Sequence, residues 1–413
     1  MSLNYDVIII GSGPTGVAAA QALRRRGIQN IAIIEREAQA GGVPRHCQHP
    51  TFGILAFKRP MKGNQFAEKI VNQLGNTPIF TRSTVTALQP NGKLTVSTPE
   101  GLVEMQAKRV LIATGVRETP RHPRLVSGLR PQGVLTAGAL QQFVYLNGKK
   151  PCRNPVIVGS ELVSFSALWT LKNAGVKAQA MIESGERILA FKPATLFAKA
   201  MGTSVYLNSK ITEIGGLDRV EYVVIETKGK SHKIMCDSVI FTGQFVGENT
   251  LIRKSHLGFD AATGKPVTDQ YGRCSDASYY AAGNMLHPAD MGDQCYQEGL
   301  VTGGRIADDL LANHHQQQLK ETQHIPVQFD SKICFSVPAC IDIDIDIDNL
   351  SVRQIDFNIK VEQPVSGTIR VMAGNTLLYE KRHRCLPTRR ILLKNIDLTK
   401  IQRDATEISI TVV

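Results

Sequence analysis

The stretch YDVIIIGSGPTGVAAAQALRRRGIQNIAIIE, residues 5–35, decides the fold. Tyr5–Ile10 is a continuous apolar run rich in β-branched residues, suited to a parallel strand buried on both faces. GSGPTG follows directly, then a helical pattern whose packed face is small and apolar, then a second buried run, IAII, that ends on Glu35. The glycines Gly11, Gly13 and Gly16 therefore form GxGxxG at a strand-to-helix turn, with an acid 19 residues after the third. Gly11 makes the tight turn, Gly13 lets a pyrophosphate approach the backbone, and Gly16 lets helix and strand pack closely. The helix amino terminus, opened by Pro14 and Thr15, presents unpaired N–H groups to an anion, and Glu35 can accept hydrogen bonds from a ribose. The spacing predicts a dinucleotide-binding βαβ unit.

With 413 residues, 42% of them hydrophobic, the chain can bury two or three separate cores. The amino terminus MSLNYDVIII has an acid at Asp6 and an apolar run that stops at Gly11, so it reads as neither a signal peptide nor a spanning helix. No later segment sustains the roughly 18 apolar residues that a crossing needs. A cytoplasmic chain is expected, with peripheral membrane contact left open. Eight cysteines are spread singly from Cys47 to Cys385 and no CxxC occurs, which argues for reduced thiols and against a thioredoxin-type dithiol, a zinc knuckle or an iron–sulfur cluster. No metal site is expected. The net charge of +12 comes from short scattered basic groups, and one Trp with 6% aromatics gives little support for a nucleic-acid surface.

The strand–turn–helix–strand plan recurs in NPVIVGSELVSFSALWTLKNAGVKAQAMIE, residues 154–183. Here the turn reads Gly159-Ser160-Glu161-Leu162-Val163-Ser164, so glutamate replaces the second glycine and serine the third. An anionic side chain then stands where a pyrophosphate should lie. If a nicotinamide dinucleotide does bind, Glu183 at the end of the second strand favours NADH over a 2′-phosphorylated form. The other reading is a retained structural half without a ligand. Two further buried strands end in Ala113-Thr114-Gly115 (residues 107–120) and Gly283-Asn284 (residues 277–285).

This ordered set resembles the two-dinucleotide-domain flavoproteins, the family of thioredoxin reductases and pyridine nucleotide-disulfide oxidoreductases, over residues 1 to about 315. The resemblance implies an α/β fold of two Rossmann-like three-layer domains, to which the tail, by its own alternation, adds a small all-β C-terminal domain. The FAD domain would be discontinuous, residues 1–117 and 265–325. Residues 118–264 would form the NAD(P)-binding-like domain and residues 326–413 the C-terminal β domain. It also implies FAD as cofactor, held by Gly11, Gly13, Pro14, Thr15, Gly16, Glu35, Arg36, Gly42, Arg45, Ala113, Thr114, Gly115 and Gly283. Val85 occupies the position whose backbone meets the adenine, and the helix starting near Gly292, Asp293 and Gln294 points at the flavin pyrimidine ring. The family's ribityl-binding aspartate is Asn284 here, an amide that still offers a donor and an acceptor. Where thioredoxin reductases hold their CxxC, GVLTAGALQQFV (133–144) has none.

The stretch GGVPRHCQHPTFG (41–53), the degenerate second turn and AAGN in place of AAGD together resemble a narrower branch. That branch contains the flavoprotein subunits of hydrogen cyanide synthase and of opine, proline and hydroxyproline dehydrogenase complexes, and flavoproteins associated with glycerol-3-phosphate dehydrogenases. Several of its members end in a [2Fe–2S] domain, but the tail here holds only Cys334, Cys340 and Cys385 at unsuitable spacings. Within 41–53, Cys47 stands where disulfide reductases begin a CxxxxC. His46, Cys47 and His49 are candidates for chemistry beside the flavin, as thiol contact or proton shuttle. Alternatively they and Arg45 merely hydrogen-bond the cofactor and the loop. A metal reading lacks a fourth local ligand.

After a polar linker, residues 312–326, IDFNIKVE, GTIRVMAG, TLLYEKRHR, RRILLKN and EISITVV alternate as short strands, predicting a small antiparallel sandwich or barrel. IDIDIDID, residues 341–348, puts Ile341, Ile343, Ile345 and Ile347 on one face and Asp342, Asp344, Asp346 and Asp348 on the other. That acidic row is expected to be solvated and paired with a basic neighbour such as Lys381–Arg384, its functional version being a docking surface for a companion protein.

Three functions follow as expectations. The first is an FAD-dependent oxidoreductase serving as the electron-transferring subunit of a dehydrogenase complex, its partner the dehydrogenase subunit. The second is a stand-alone NADH-dependent flavin reductase acting on a small molecule or quinone. The third is a non-catalytic flavin-bound scaffold.

Overall fold

A computed structural model describes residues 3–190, 196, 198, 200–288, 290–312, 322–344, 353–361, 363–387, 390–402 and 404–413. Two compact units emerge, Met1–Ala40 with Ile70–Gly115 and Gly247–Val413, and Gly41–Lys69 with Val116–Val246.

The first unit is built on β1 (Leu3–Ile10), α1 (Pro14–Arg25) and β2 (Ile31–Ile34), the unit expected from residues 5–35. β1 lies between β2 and the later strand Gly101–Ile112, both parallel to it, with Ile10 opposite Ile34 and Ile112. Ile79–Phe80 adds parallel to β2, and Tyr279–Ala281 adds parallel to the end of Gly101–Ile112. Because β2 lies on one side of β1 and Gly101–Ile112 on the other, the strand order reverses at the carboxyl end of β1, where ligands of open α/β sheets sit. Isoleucines 8, 9, 10, 31, 33 and 34 are all buried, each adding about 1.5–3 kcal/mol of hydrophobic stabilisation. The small face VAAA of α1 lets the long helix Gly292–Ala312 approach closely: a Cβ on Gly299 or Gly303 would overlap the carbonyls of Thr15 or Ala19.

The C-terminal strands belong to this same unit. One sheet has the order Cys340–Asp344, Thr322–Phe329, Ile408–Val412, Val365–Ala373, Thr376–Cys385, and the other Ile333–Val337, Gln354–Val361, Ile391–Asp397. Both contribute to one core that includes Ile341, Ile343, Phe357, Ile359, Ile369, Leu393 and Ile408, which makes a two-sheet sandwich. All five strands expected after residue 350 are present. Thr322–Phe329, partly assigned to the linker from its polar side chains, is instead the strand that pairs Cys340–Asp344 to the rest of the sheet.

The second unit holds a parallel sheet in the order Ser204–Tyr206, Ala180–Ile182, Pro155–Val158, Ser238–Phe241, Val134–Thr136, with helix Leu162–Asn173 following Pro155–Val158. The repeat at 154–183 is therefore a second βαβ unit, its core formed by Ile157, Ala167, Leu168, Leu171, Met181 and Ile240. Among the described residues, no helix is long and apolar enough to cross a membrane.

Candidate functional site

The turn after β1 carries the glycine roles in its geometry. Gly11 adopts φ +105°, closed to most side chains, and a Cβ there would lie 2.5 Å from the carbonyl of Ala113. A Cβ on Gly16 would overlap the carbonyl of Gly11. Gly13 differs: its backbone is ordinary (φ −70°, ψ −179°), and a Cβ there would meet nothing within 4 Å. Space over Gly13 is thus left free of protein, in front of the first turn of α1, which has no side-chain cap and no acidic residue. Uncapped amides facing open space suit a phosphate.

Glu35 closes the other end. Its Oε2 accepts from the Ser12 amide (3.0 Å) and the Ser12 hydroxyl (2.5 Å), and its Oε1 accepts from the Glu37 amide (2.9 Å). Arg36 is exposed beside Glu37. Val85 is buried, on strand Thr84–Gln89. The Thr114 hydroxyl donates to Glu248 O (2.9 Å) and the Glu248 amide to Gly115 O (2.9 Å), which ties down the segment after Ile112. A Cβ on Gly283 would strike the Thr15 side chain, and the Thr15 hydroxyl donates to Cys295 O at 3.1 Å, so Gly283 and the start of the long helix both sit on the first turn of α1. Asp293 is buried in that helix's first turn, and Gln294 accepts from the Met291 amide. The Asn284 amide is held by the Asp290 backbone: its Oδ1 accepts from Asp290 N (2.9 Å) and its Nδ2 donates to Asp290 O (3.1 Å).

The second turn, in the other unit, is filled. Glu161 folds its carboxylate back over the loop, accepting from Ser164 Oγ (3.2 Å) and Thr242 Oγ1 (3.3 Å). A Cβ on Gly159 would lie 2.6 Å from Glu161 Oε2, and one on Gly243 would overlap Oε1. Burial raises the Glu161 carboxyl pKa. The ribose end is preserved, because Ser160 donates to Glu183 Oε2 and the Gly185 amide to Oε1 (2.7 Å). The serine–glutamate pairs Ser12/Glu35 and Ser160/Glu183 share a separation of 23 residues. The two units thus keep the same acid clasp, and only the first keeps an open phosphate turn. The residues present fit a dinucleotide at the first turn and not a pyrophosphate at the second.

A family model described as pyridine nucleotide-disulphide oxidoreductase matches residues 5–320. The chain belongs to this family. It is 25% identical over 370 residues to dihydrolipoyl dehydrogenase of Rhizobium etli, covering 76% of this chain and 74% of the relative. It is 26% identical over 324 residues to one of the subunits of opine oxidase from Agrobacterium tumefaciens, covering 68% and 61%. Its fold is similar to thioredoxin reductase of T. acidophilum (TM-score 0.61, 22% identity, 76% of this chain and 99% of the other). L-proline dehydrogenase of P. horikoshii is comparable (TM-score 0.58, 22% identity, 77% and 57%).

In this family member, residues 41–53 lie in the second unit, where Gly42 and Arg45 shape the short turn Val43–His46. Burial, reinforced by the Arg45 charge, brings His46 down to about 4, so the ring is neutral near pH 7. His49 stacks on Phe52 (5.2 Å between ring centroids) and its Nδ1 lies 2.8 Å from the Thr51 hydroxyl; burial lowers its pKa too. The Cys47 thiol lies 3.5 Å from Val43 O and 3.6 Å from Gln141 Oε1. Burial and the Glu118 carboxylate push it up to about 12. Alkylation of native Cys47 by iodoacetamide at pH 8, followed by peptide mass mapping, should run about a thousandfold slower than for a free thiol. A rate near the free-thiol value would show an accessible thiol of ordinary reactivity and contradict the placement.

Glu118 lies outside the expected set. Its Oε2 accepts from the Gly138 amide (2.6 Å), its Oε1 is buried with no hydrogen-bond partner among the described residues, and burial raises its pKa. Its only sequence signal is an acid ending the short strand Val116–Glu118.

Among the described residues, one trio has metal-like donors within 4.8 Å of one another, His324, Cys340 and Asp342. Asp342 is already held by His324 Nδ1 (2.8 Å) and Arg273 (3.5 Å), and burial pushes the Cys340 thiol up to about 12. The trio lies in a seam in which Asp342 is bonded to His324 and ion-paired with Arg273. This also corrects the acidic-row reading: Ile341 and Ile343 enter the core as expected, but Asp342 pairs with Arg273 and His324, while Lys381–Arg384 lie on the opposite edge strand. Asp344 lies at the end of the strand, and Ile345, Asp346, Ile347 and Asp348 lie outside the described residues.

Proposed function

We propose that the chain is an FAD-dependent oxidoreductase that serves as the electron-transferring subunit of a dehydrogenase complex, with FAD held at the first turn. The observation that carries this is the contrast between the two turns: Gly13 opens onto free space, whereas Glu161 fills the equivalent place. When bound, FAD accepts two electrons and passes them on singly or as hydride. The chain's own groups bind and orient it. The first-turn amides of α1 face the phosphates, Glu35 stands at the ribose end, and the Ala113–Gly115 segment closes over the carboxyl edge of the sheet. The domain assignment of residues 1–117 with 265–325, 118–264 and 326–413 goes with this reading.

Support for a partner comes from the opine oxidase relative, which is named as one part of a multi-chain enzyme, and from the absence of a CxxC in the sequence, which leaves disulfide reduction without its dithiol. Co-purification from the native host is the test. A dehydrogenase chain is expected to accompany this one, and a chain that always runs alone contradicts the subunit role.

A second reading, an NADH-dependent reductase, is favoured by the preserved Ser160–Glu183 clasp. Stopped-flow mixing of the oxidised flavoprotein with NADH separates the two. The blocked turn predicts no rapid bleaching of the flavin band, and rapid bleaching would establish the reductase instead.

A further inference from the structure

The C-terminal sandwich reaches back to the carboxyl edge of the first sheet through two chains of contacts, the first buried and the second partly exposed. In the first, Asn358 Nδ2 lies 2.5 Å from His287 Nδ1, His287 Nε2 lies 3.5 Å from Glu298 Oε1, and that oxygen accepts from the Gly283 amide at 2.8 Å. Asn358 and His287 are 5% and 6% exposed, too deep for water to replace either partner. With Asn358 donating to Nδ1, the imidazole proton is on Nε2 and faces the glutamate. In the second, Arg390 meets Asp290 Oδ2 at 3.0 Å, and the Asp290 backbone exchanges two hydrogen bonds with the Asn284 amide. Both chains start on the sandwich and end on Gly283 and Asn284, the first of which sits against Thr15 in the first turn of α1.

We propose that the C-terminal sandwich is part of the cofactor site. Asn358 and Arg390 act as positioning residues that hold Gly283 and Asn284 in the shape the flavin end of FAD requires. This rests on the FAD reading above. Every intermediate group is partnered in sequence: Asn358 fixes the His287 ring, His287 faces the carboxylate, and Glu298 fixes the Gly283 amide. Burial brings His287 down to about 3, so the ring stays a neutral donor–acceptor throughout the working range. Lys265 from a loop, Lys360 from strand Gln354–Val361, Arg305 from the long helix, Arg390 and Asp290 are the other charged groups that bear on this cluster. Asn284 is thereby explained: an aspartate there could not donate to the Asp290 carbonyl.

The test is titration of the full-length apoprotein with FAD, by quenching of flavin fluorescence, for wild type, Asn358→Leu, Arg390→Met and Arg390→Lys, together with the flavin midpoint potential and visible band shape. The expected result is a dissociation constant raised about tenfold or more for Asn358→Leu and Arg390→Met, a shifted potential, and recovery to within about threefold for Arg390→Lys. If Asn358→Leu does not fold, Arg390→Met decides by the same criterion, its guanidinium being partly exposed. Unchanged affinity and potential in the folded variants, with wild type binding FAD, would overturn the sandwich's role alone. Failure of wild type to bind FAD would overturn this proposal and the cofactor reading together.

Discussion

Gly13→Val is expected to give a folded protein that has lost FAD. The backbone at Gly13 is one that any residue adopts, and the added side chain meets no protein atom within 4 Å at its Cβ. Stability of the apoprotein should therefore change by about 0.5 kcal/mol or less, as for surface substitutions. The isopropyl group would stand between the first-turn amides of α1 and the pyrophosphate they are placed to meet. Loss of that approach should weaken FAD binding at least about a hundredfold, or ~2.7 kcal/mol. Gly16→Val is the contrasting control, because its side chain would overlap the Gly11 carbonyl and disrupt the turn itself. Circular dichroism and thermal melting, read beside an FAD titration, separate the two. Normal FAD affinity in Gly13→Val would show that the space over this turn is not where the cofactor's phosphates lie.

Lys265→Met is expected to stabilise the protein. Lys265 is 7% exposed, its Nζ has no hydrogen-bond partner among the described residues, and it stands 2.8 Å over the centre of the Phe335 ring. Burial, reinforced by Lys360, lowers its pKa to about 6. The unfolded chain, with an ordinary lysine, then binds more protons than the folded one between about pH 6 and pH 10.5, so wild-type stability rises with pH across that window. The penalty is absent above the ordinary lysine pKa, grows as pH falls and is complete below about 6. Methionine fills similar volume without the amine, so at pH 7 the variant should gain on the order of 3 kcal/mol in urea unfolding, with the advantage shrinking toward pH 10. Equal stability at pH 7, or an advantage that grows with pH, would contradict the buried-amine account.

Much of the architecture is legible because it rests on local pattern. Tyr5–Ile10 and IAII announce buried parallel strands by continuous apolar runs, and the GxGxxG between them needs glycine for the positive φ of Gly11, the open approach at Gly13 and the close packing at Gly16. The tail strands are equally readable from alternation, down to Ile341 and Ile343 entering the core. Glu161 is legible as a misfit by its charge alone, and the structure shows the consequence in the Gly159 loop it fills.

What escapes the sequence is contact between residues far apart in it. His287 and Asn358 are 71 positions apart and Asp290 and Arg390 are 100 apart, so no periodicity links them. Asp342 has a ready match in the basic run Lys381–Arg384, yet strand order sends that run to the far edge and brings Arg273 to the carboxylate. Asn284 matches a cofactor position by resemblance, but what its amide bonds to is set by the Asp290 loop. Lys265 and Glu118 read as ordinary surface charges until burial is known.

The most direct measurement is the flavin content of the purified chain after saturation with FAD and removal of the excess, determined by releasing the cofactor on denaturation. One FAD per chain is expected for wild type and none for Gly13→Val. A wild-type chain that emerges without flavin would contradict the cofactor reading.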